Sequence, residues 1–240
     1  MKKTYIQLLL LAVISVSLLS SCRRFRCVHG SGKVITDNRK VSDFTKVDIS
    51  GGFKVKLVQD SSQTVSIHAD DNLLQYIKTN VTGGKLTIKS RRNFCASGEI
   101  TITVGVRNIE EVDASGAVEV TSNGVIKARD LHFDLSGATK IDMELDAATV
   151  NTDGSGSTEI YLKGQAGSHN IDLSGSGKVE ALDFVVGKYN IETSGASHCK
   201  INVLNTLNVH TSGASEIEYR GNPSNVTNDK SGASSVQKID

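Results

Sequence analysis

A serine–glycine pair recurs in this chain at Ser115, Ser136, Ser155, Ser174, Ser194, Ser212 and Ser231, in steps of 21, 19, 19, 20, 18 and 19 residues. Two more copies, Ser31-Gly32 and Ser50-Gly51, stand upstream and are also 19 apart. A period held over this many copies points to stacked units, each too small to bury an apolar face alone.

Aligning the copies on the serine exposes the strands. Five residues after it come Val120, Ile141, Ile160, Val179, Cys199, Ile217 and Val236, each preceded by a residue that is polar or charged. Five, three and one residues before it come sets such as Leu131-Phe133-Leu135, His169-Ile171-Leu173 and Tyr189-Ile191-Thr193. Alternation at period two on both sides predicts two half-buried strands per repeat, joined by a glycine turn. Stacked about 4.8 Å apart, such units pair in parallel and share one core. The expected fold class is therefore all-β: a parallel β-helix, or β-solenoid, with rungs of about 19 residues. The hexapeptide pattern of left-handed β-helices is missing, which favours a right-handed coil.

Composition agrees. The 240 residues include 22 Gly but one Pro. One glycine turn per rung uses the glycines, and continuous hydrogen-bonded ladders exclude proline, except at Pro223 in a late loop. Glu119, Lys140, Glu159 and Lys178 alternate in sign, so neighbouring rungs would set opposite charges side by side. A net charge of +1 offers no basic footprint, and no nucleic-acid partner is expected.

The N-terminal half is less regular. Val47 and Ile49, then Phe53, Val55 and Leu57, then Val65 and Ile67 read as strands. Asp70-Asp71-Asn72 before Leu73, Leu74 and Ile77 predicts one short capped helix. Strands follow at 86–88 and 100–104, with a basic loop at Arg91-Arg92 between them. The helix and loop are expected to form an excursion that covers one end or side of the coil.

The first residues carry an address. Lys2 and Lys3 precede an apolar run from Ile6 to Leu19, which ends in Leu19-Ser20-Ser21-Cys22. That pattern is a lipoprotein signal peptide over 1–21, with Cys22 as the acylated first residue (palmitate-type chains). The expected division is a tether at 22–30 and a single domain at 31–240, irregular over 31–112 and regular over 113–240. No Asp follows Cys22, so an outer-membrane lipoprotein is expected, its facing side open. The membrane is thus one partner, through the lipid anchor. Cys27 and Cys95 are candidates for a disulfide, whereas Cys199 falls at an apolar repeat position and reads as core. No metal-ligand spacing occurs, and no cofactor is expected.

Two outward columns are the candidate binding face. Two residues before each serine stand Asp113, Asp134, Asp153, Asp172, Glu192, His210 and Asp229. Four before it stand Asn151, Asn170, Asn190 and Asn208. The carboxylates could line a strip for a cation or polysaccharide. The plainer expectation is that each caps its own turn by accepting backbone N–H bonds. The asparagines could meet glycan hydroxyls or form a solvated amide ladder.

Several segments carry a family resemblance: Gly30-Ser31-Gly32-Lys33-Val34, Phe44 through Gly52, Asp70-Asp71-Asn72-Leu73-Leu74, the repeated Asp-Leu-Ser-Gly at 134–137 and 172–175, and Tyr219-Arg220-Gly221-Asn222-Pro223. On these the chain resembles the putative auto-transporter adhesin, head GIN domain family, common among Bacteroidetes lipoproteins. The resemblance spans roughly 30–240 and implies a β-helical fold in the cell envelope. It implies no catalytic residues. The expected function is a non-catalytic binding module for a glycan or surface protein, with oligomers compatible. An envelope scaffold is the alternative. A polysaccharide lyase or hydrolase is disfavoured, because its site needs a local cluster that no single rung supplies.

Overall fold

The computed structural model describes residues 27–240. The expected signal peptide and the acylation site Cys22 lie outside the described residues. Along the chain the strands are β1 (Val28–His29), β2 (Val34–Lys40), β3 (Lys46–Gln59), β4 (Thr64–Asp70), β5 (Ile77–Thr82), β6 (Lys85–Ser90), β7 (Phe94–Cys95), β8 (Thr101–Val106), β9 (Glu111–Gly213), β10 (Glu216–Arg220), β11 (Asn225–Gly232) and β12 (Ser235–Lys238). The protein is all-β, and no α-helix occurs among the described residues.

The 103 residues of β9 would span about 340 Å if straight. They fold back instead, because successive copies of the repeat lie on one another. Gly137 sits over Gly116, Gly156 over Gly137 and Gly175 over Gly156, each with positive φ. A Cβ on Gly175 would lie 2.6 Å from the carbonyl oxygen of Gly156. The column therefore needs glycine twice over, for its left-handed backbone and for the close approach of the rung below.

At both ends of β9 the pairing is parallel and in the register that the serine alignment predicts. Ser50 pairs with Ser115 and Gly51 with Gly116 between β3 and β9. Cys199 pairs with Ile217, and Ile217 with Val236, through β9, β10 and β12. His210 pairs with Asp229 and Ser212 with Ser231 between β9 and β11. The inward positions form the core: Val120, Ile141, Val179, Cys199, Leu131, Phe133 and Tyr189 are all buried. His169 is also inside, its Nε2 3.0 Å from the Thr152 hydroxyl. Burial pushes its imidazole down to about 3, so it stays neutral.

The N-terminal half closes one end of the stack. β6 and β8 lie in parallel beside the two halves of β3, on the side away from β9. β4 then runs antiparallel to β8, β2 antiparallel to β4, and β5 antiparallel to β6. Reversal of direction ends the parallel ladder.

Three expectations fail here. The helix at 70–77 is a single 3-10 turn, Leu74–Tyr76, with no side-chain cap. Asp70 is drawn into the fold instead: its carboxylate accepts bonds from the N–H groups of Gly32 and Ser97 and from the Ser97 hydroxyl, at 2.8, 3.0 and 2.5 Å. Leu73, Leu74 and Ile77 bury themselves in the core without a helix to align them. Ser31-Gly32 does not join the stack either. The Ser31 hydroxyl donates to Asp71 at 2.6 Å, and its N–H donates to the Asn72 side chain. Residues 27–30 of the expected tether belong to the fold, because β1 pairs with β7 and Cys27 is disulfide-bonded to Cys95.

Candidate functional site

The strand that precedes each serine turn points alternate side chains outward. Positions four and two before the serine therefore share one face, and stacking turns each position into a column. Between the columns runs an open trough of about 750 Å³. It brings together Asn151, Asn170, Asn190 and Asn208 with Asp153, Asp172, Glu192, His210 and Asp229.

The asparagines form a ladder. Each amide nitrogen donates to the oxygen of the previous rung: Asn170 to Asn151 at 2.7 Å, Asn190 to Asn170 at 2.6 Å, and Asn208 to Asn190 at 2.8 Å. Each NH₂ has a second hydrogen for an outside acceptor. The carboxylates beside them are differently placed. Asp134, Asp153, Asp172 and Glu192 are exposed. They do not cap turns as expected. Their side chains leave the sheet face, and the turn N–H groups are taken by neighbouring rungs, as Ala214 N–H is by Gly195 at 2.8 Å. Two of the column pair with histidine: Asp153 with His132 at 3.5 Å, and Asp229 with His210 at 3.1 Å. Asp134, Asp172 and Glu192 form no ion pair among the described residues. Unit charges 4 Å apart in water interact by about 1 kcal/mol, so this row holds unspent attraction for a donor or cation.

The first rung departs from the others. Lys85 Nζ lies 2.6 Å from both Glu111 and Asp113, and Lys46 lies 2.7 Å from Glu111. Hydrogen bonds from Lys46 and Lys85 hold the Glu111 carboxyl down to about 2. Burial pushes Asp113 up. The ring of mutual partners removes Asp113 from the binding face that the sequence assigns to it.

His132 was missed by the sequence reading although it lines the trough. Its signal is positional, since it stands four before Ser136, in the asparagine column. Tyr161 was missed on the face after the serine. Lys140 and Lys178 lie over its ring at 5.4 and 5.3 Å. Of the expected alternating charges, Glu119 and Lys140 pair at 3.3 Å, whereas Glu159 accepts the Tyr161 hydroxyl at 3.1 Å. Cys27, His29 and Cys95 lie close together, but both thiols are spent in the disulfide.

The profile of the family described as putative auto-transporter adhesin, head GIN domain, matches residues 43–223. No match to a curated protein was found. Among solved structures, a putative adhesin from Bacteroides fragilis NCTC 9343 is 20% identical with a TM-score of 0.84, covering 88% of this chain and 100% of that one. A putative adhesin from Parabacteroides merdae ATCC 43184 is 20% identical with a TM-score of 0.70, covering 89% and 99%. A putative lipid binding protein from Parabacteroides distasonis ATCC 8503 is 17% identical with a TM-score of 0.65, covering 90% and 100%. At these identities the likeness is one of fold. Among the described residues no helix is long and apolar enough to cross a membrane.

Proposed function

This chain belongs to the putative auto-transporter adhesin, head GIN domain family, and from that premise we propose that it is a β-solenoid lipoprotein of the outer membrane, held by acyl chains on Cys22, whose trough binds an extended glycan without catalysis. The parallel register at both ends of β9 and the glycine column support the solenoid reading.

The observation that carries the binding reading is the pairing of an amide ladder with unpartnered carboxylates along one open face. Six aligned positions, from His132 to Thr227, run about 24 Å at strand spacing. A ligand that contacts every rung must itself repeat and be extended. Free amide hydrogens and carboxylate oxygens suit the hydroxyls of a neutral or amine-bearing sugar polymer. An acidic polymer would meet like charge. No Trp occurs and aromatics are 5%, so recognition rests on these polar columns rather than on ring stacking.

The absence of turnover is supported by the sameness of the rungs. Among the described residues, the one group of strongly shifted carboxyls and lysines, around Glu111 and Lys85, is closed by its own ion pairs and lies outside the trough. A glycan array with the mature protein tests the reading. Retention of neutral or amino-sugar polymers is expected, and Asp172→Ala with Asn190→Ala should abolish it. An array with no hits, or hits untouched by both changes, would sink it. Release of new reducing ends or unsaturated sugars would show an enzyme instead.

A further inference from the structure

We infer that the β5–β6 end of the molecule is a membrane-contact surface, on which Lys78, Lys89, Arg91 and Arg92 rest against anionic phospholipid headgroups. The inference rests on the acylation of Cys22 proposed above, and it adds the orientation in which the anchored protein stands.

The four cations lie in one place. Lys78 and Lys89 are directly opposite in the antiparallel β5–β6 pair. The N–H of Arg91 donates to the carbonyl of Tyr76 at 2.9 Å, which holds the Arg91-Arg92 bend against the start of β5. Like charges placed opposite across strands destabilise the pair unless something neutralises them. Lys46, Lys54 and Lys85 in the same half all have acidic partners. Among the described residues these four have none, nor do Lys40 and Lys56, which stand apart from them on β2 and β3. Lys89, Arg91 and Arg92 are exposed and Lys78 is half-buried.

The chain enters the fold at this same place. β1 runs parallel to β7 with Val28 opposite Phe94, and the Val28 N–H donates to Asn93 at 2.8 Å. The residues before Val28 therefore approach from the side of Arg92 and Asn93. Cys27 is locked there by its bond to Cys95. Four residues separate Cys22 from Cys27, and the five steps between them reach at most about 18 Å. Acyl chains on Cys22 must hold this end within that distance of the headgroups.

Charge is distributed to match. Residues 27–100 carry 11 Lys and Arg against 7 Asp and Glu, a balance of +4; residues 101–240 carry 11 against 19, a balance of −8. An anionic surface attracts the closed end and repels the acidic stack. The solenoid then stands away from the bilayer with its trough free. Each cation near such a surface strengthens partitioning about fivefold, so three are worth about two orders of magnitude.

The test uses the mature chain, residues 22–240, prepared with its lipid and as Cys22→Ala. Each is mixed with vesicles of phosphatidylcholine alone or with added phosphatidylglycerol. The unlipidated form should sediment with the anionic vesicles only. The change Lys89→Gln/Arg91→Gln/Arg92→Gln should cut that partitioning by about two orders of magnitude. These side chains are exposed and have no acidic partner, so the melting temperature should not fall, and relief of the Lys78–Lys89 repulsion should leave it unchanged or slightly raised. On the lipidated form, amides 76–93 should gain protection from hydrogen exchange when phosphatidylglycerol is present, and amides 225–238 should not. Sedimentation independent of lipid charge, an unaffected triple variant, or protection at 225–238 instead would each overturn the surface. Palmitate uptake at Cys22 is scored separately. Labelled protein whose exchange ignores phosphatidylglycerol overturns the surface and keeps the anchor, whereas unlabelled protein that still binds anionic vesicles keeps the surface and removes the anchor.

Discussion

The closed end and the stack solve the same problem, burying strands that cannot stand alone, by opposite means. The stack uses repetition. One glycine column and one set of inward side chains run from rung to rung, and one asparagine ladder joins four of the rungs. The closed end uses single devices. The Arg39 guanidinium alone reaches Asp37, the carbonyls of Ile77 and Leu74, and the Thr79 hydroxyl. Asp70 ties three segments, and the disulfide ties two. A repeated device spreads any single loss over neighbours, whereas a single device has no substitute. The exception is a change that blocks the approach of two rungs.

The harshest way to break the contrast is therefore in the glycine column. Gly175→Val would put a branched side chain at φ +104 and 2.6 Å from a carbonyl. The expected cost exceeds about 4 kcal/mol, read as failure to fold or loss of the urea transition. Gly124→Ala, at φ +81 with open space around it, should cost about 1 kcal/mol.

Removing the disulfide by Cys27→Ser/Cys95→Ser probes the closed end. The cysteines are 68 apart, and releasing that loop should cost about 4 kcal/mol. Hydrogen exchange should speed up over 64–90 and stay unchanged over 131–210. Equal acceleration in both would mean that the two regions open as one unit.

The junction between the regions carries a pH signature. The Glu111 carboxyl is lowered from 4.5 to about 2, so its stabilisation is complete above pH 4.5 and is lost as pH falls through about 2. The loss is at most about 3 kcal/mol, and Asp113, shifted upward, opposes it. Stability measured against pH should show this slope, and Glu111→Gln should flatten it.

The smallest effects belong to the trough. Asn190→Leu deletes two bonds of the ladder and should cost about 1 kcal/mol by thermal melting. Asp172→Asn should leave stability unchanged or raise it by a few tenths of a kcal/mol, since it relieves repulsion within the carboxylate row. A large loss there would mean that the carboxylate has a structural partner.

Legibility in the sequence divides along the same line. The inward residues, the parallel register and the two outward columns could be read because each is stated many times. One alignment on Ser-Gly averages over the copies. The closed end could not be read this way. The spacing of Leu73, Leu74 and Ile77 mimics a helix, but the Asp70 carboxylate that would begin it is claimed by Ser97 and Gly32 from distant segments. Ser31-Gly32 has the right spelling and spacing, yet Asp71 and Asn72 take it elsewhere. Asp113 fits its column by number and is lost from the site through Lys85.

The sequence by itself determined the repeat: its period, which side chains face in, and where polar columns form. These follow from period two along a strand and from a repeat that brings equal positions together. The tertiary structure alone decided how the stack is closed, that Cys27 meets Cys95, and which column members stay free. Those outcomes depend on single contacts between residues far apart in the chain, and no local pattern in the sequence encodes such a pair.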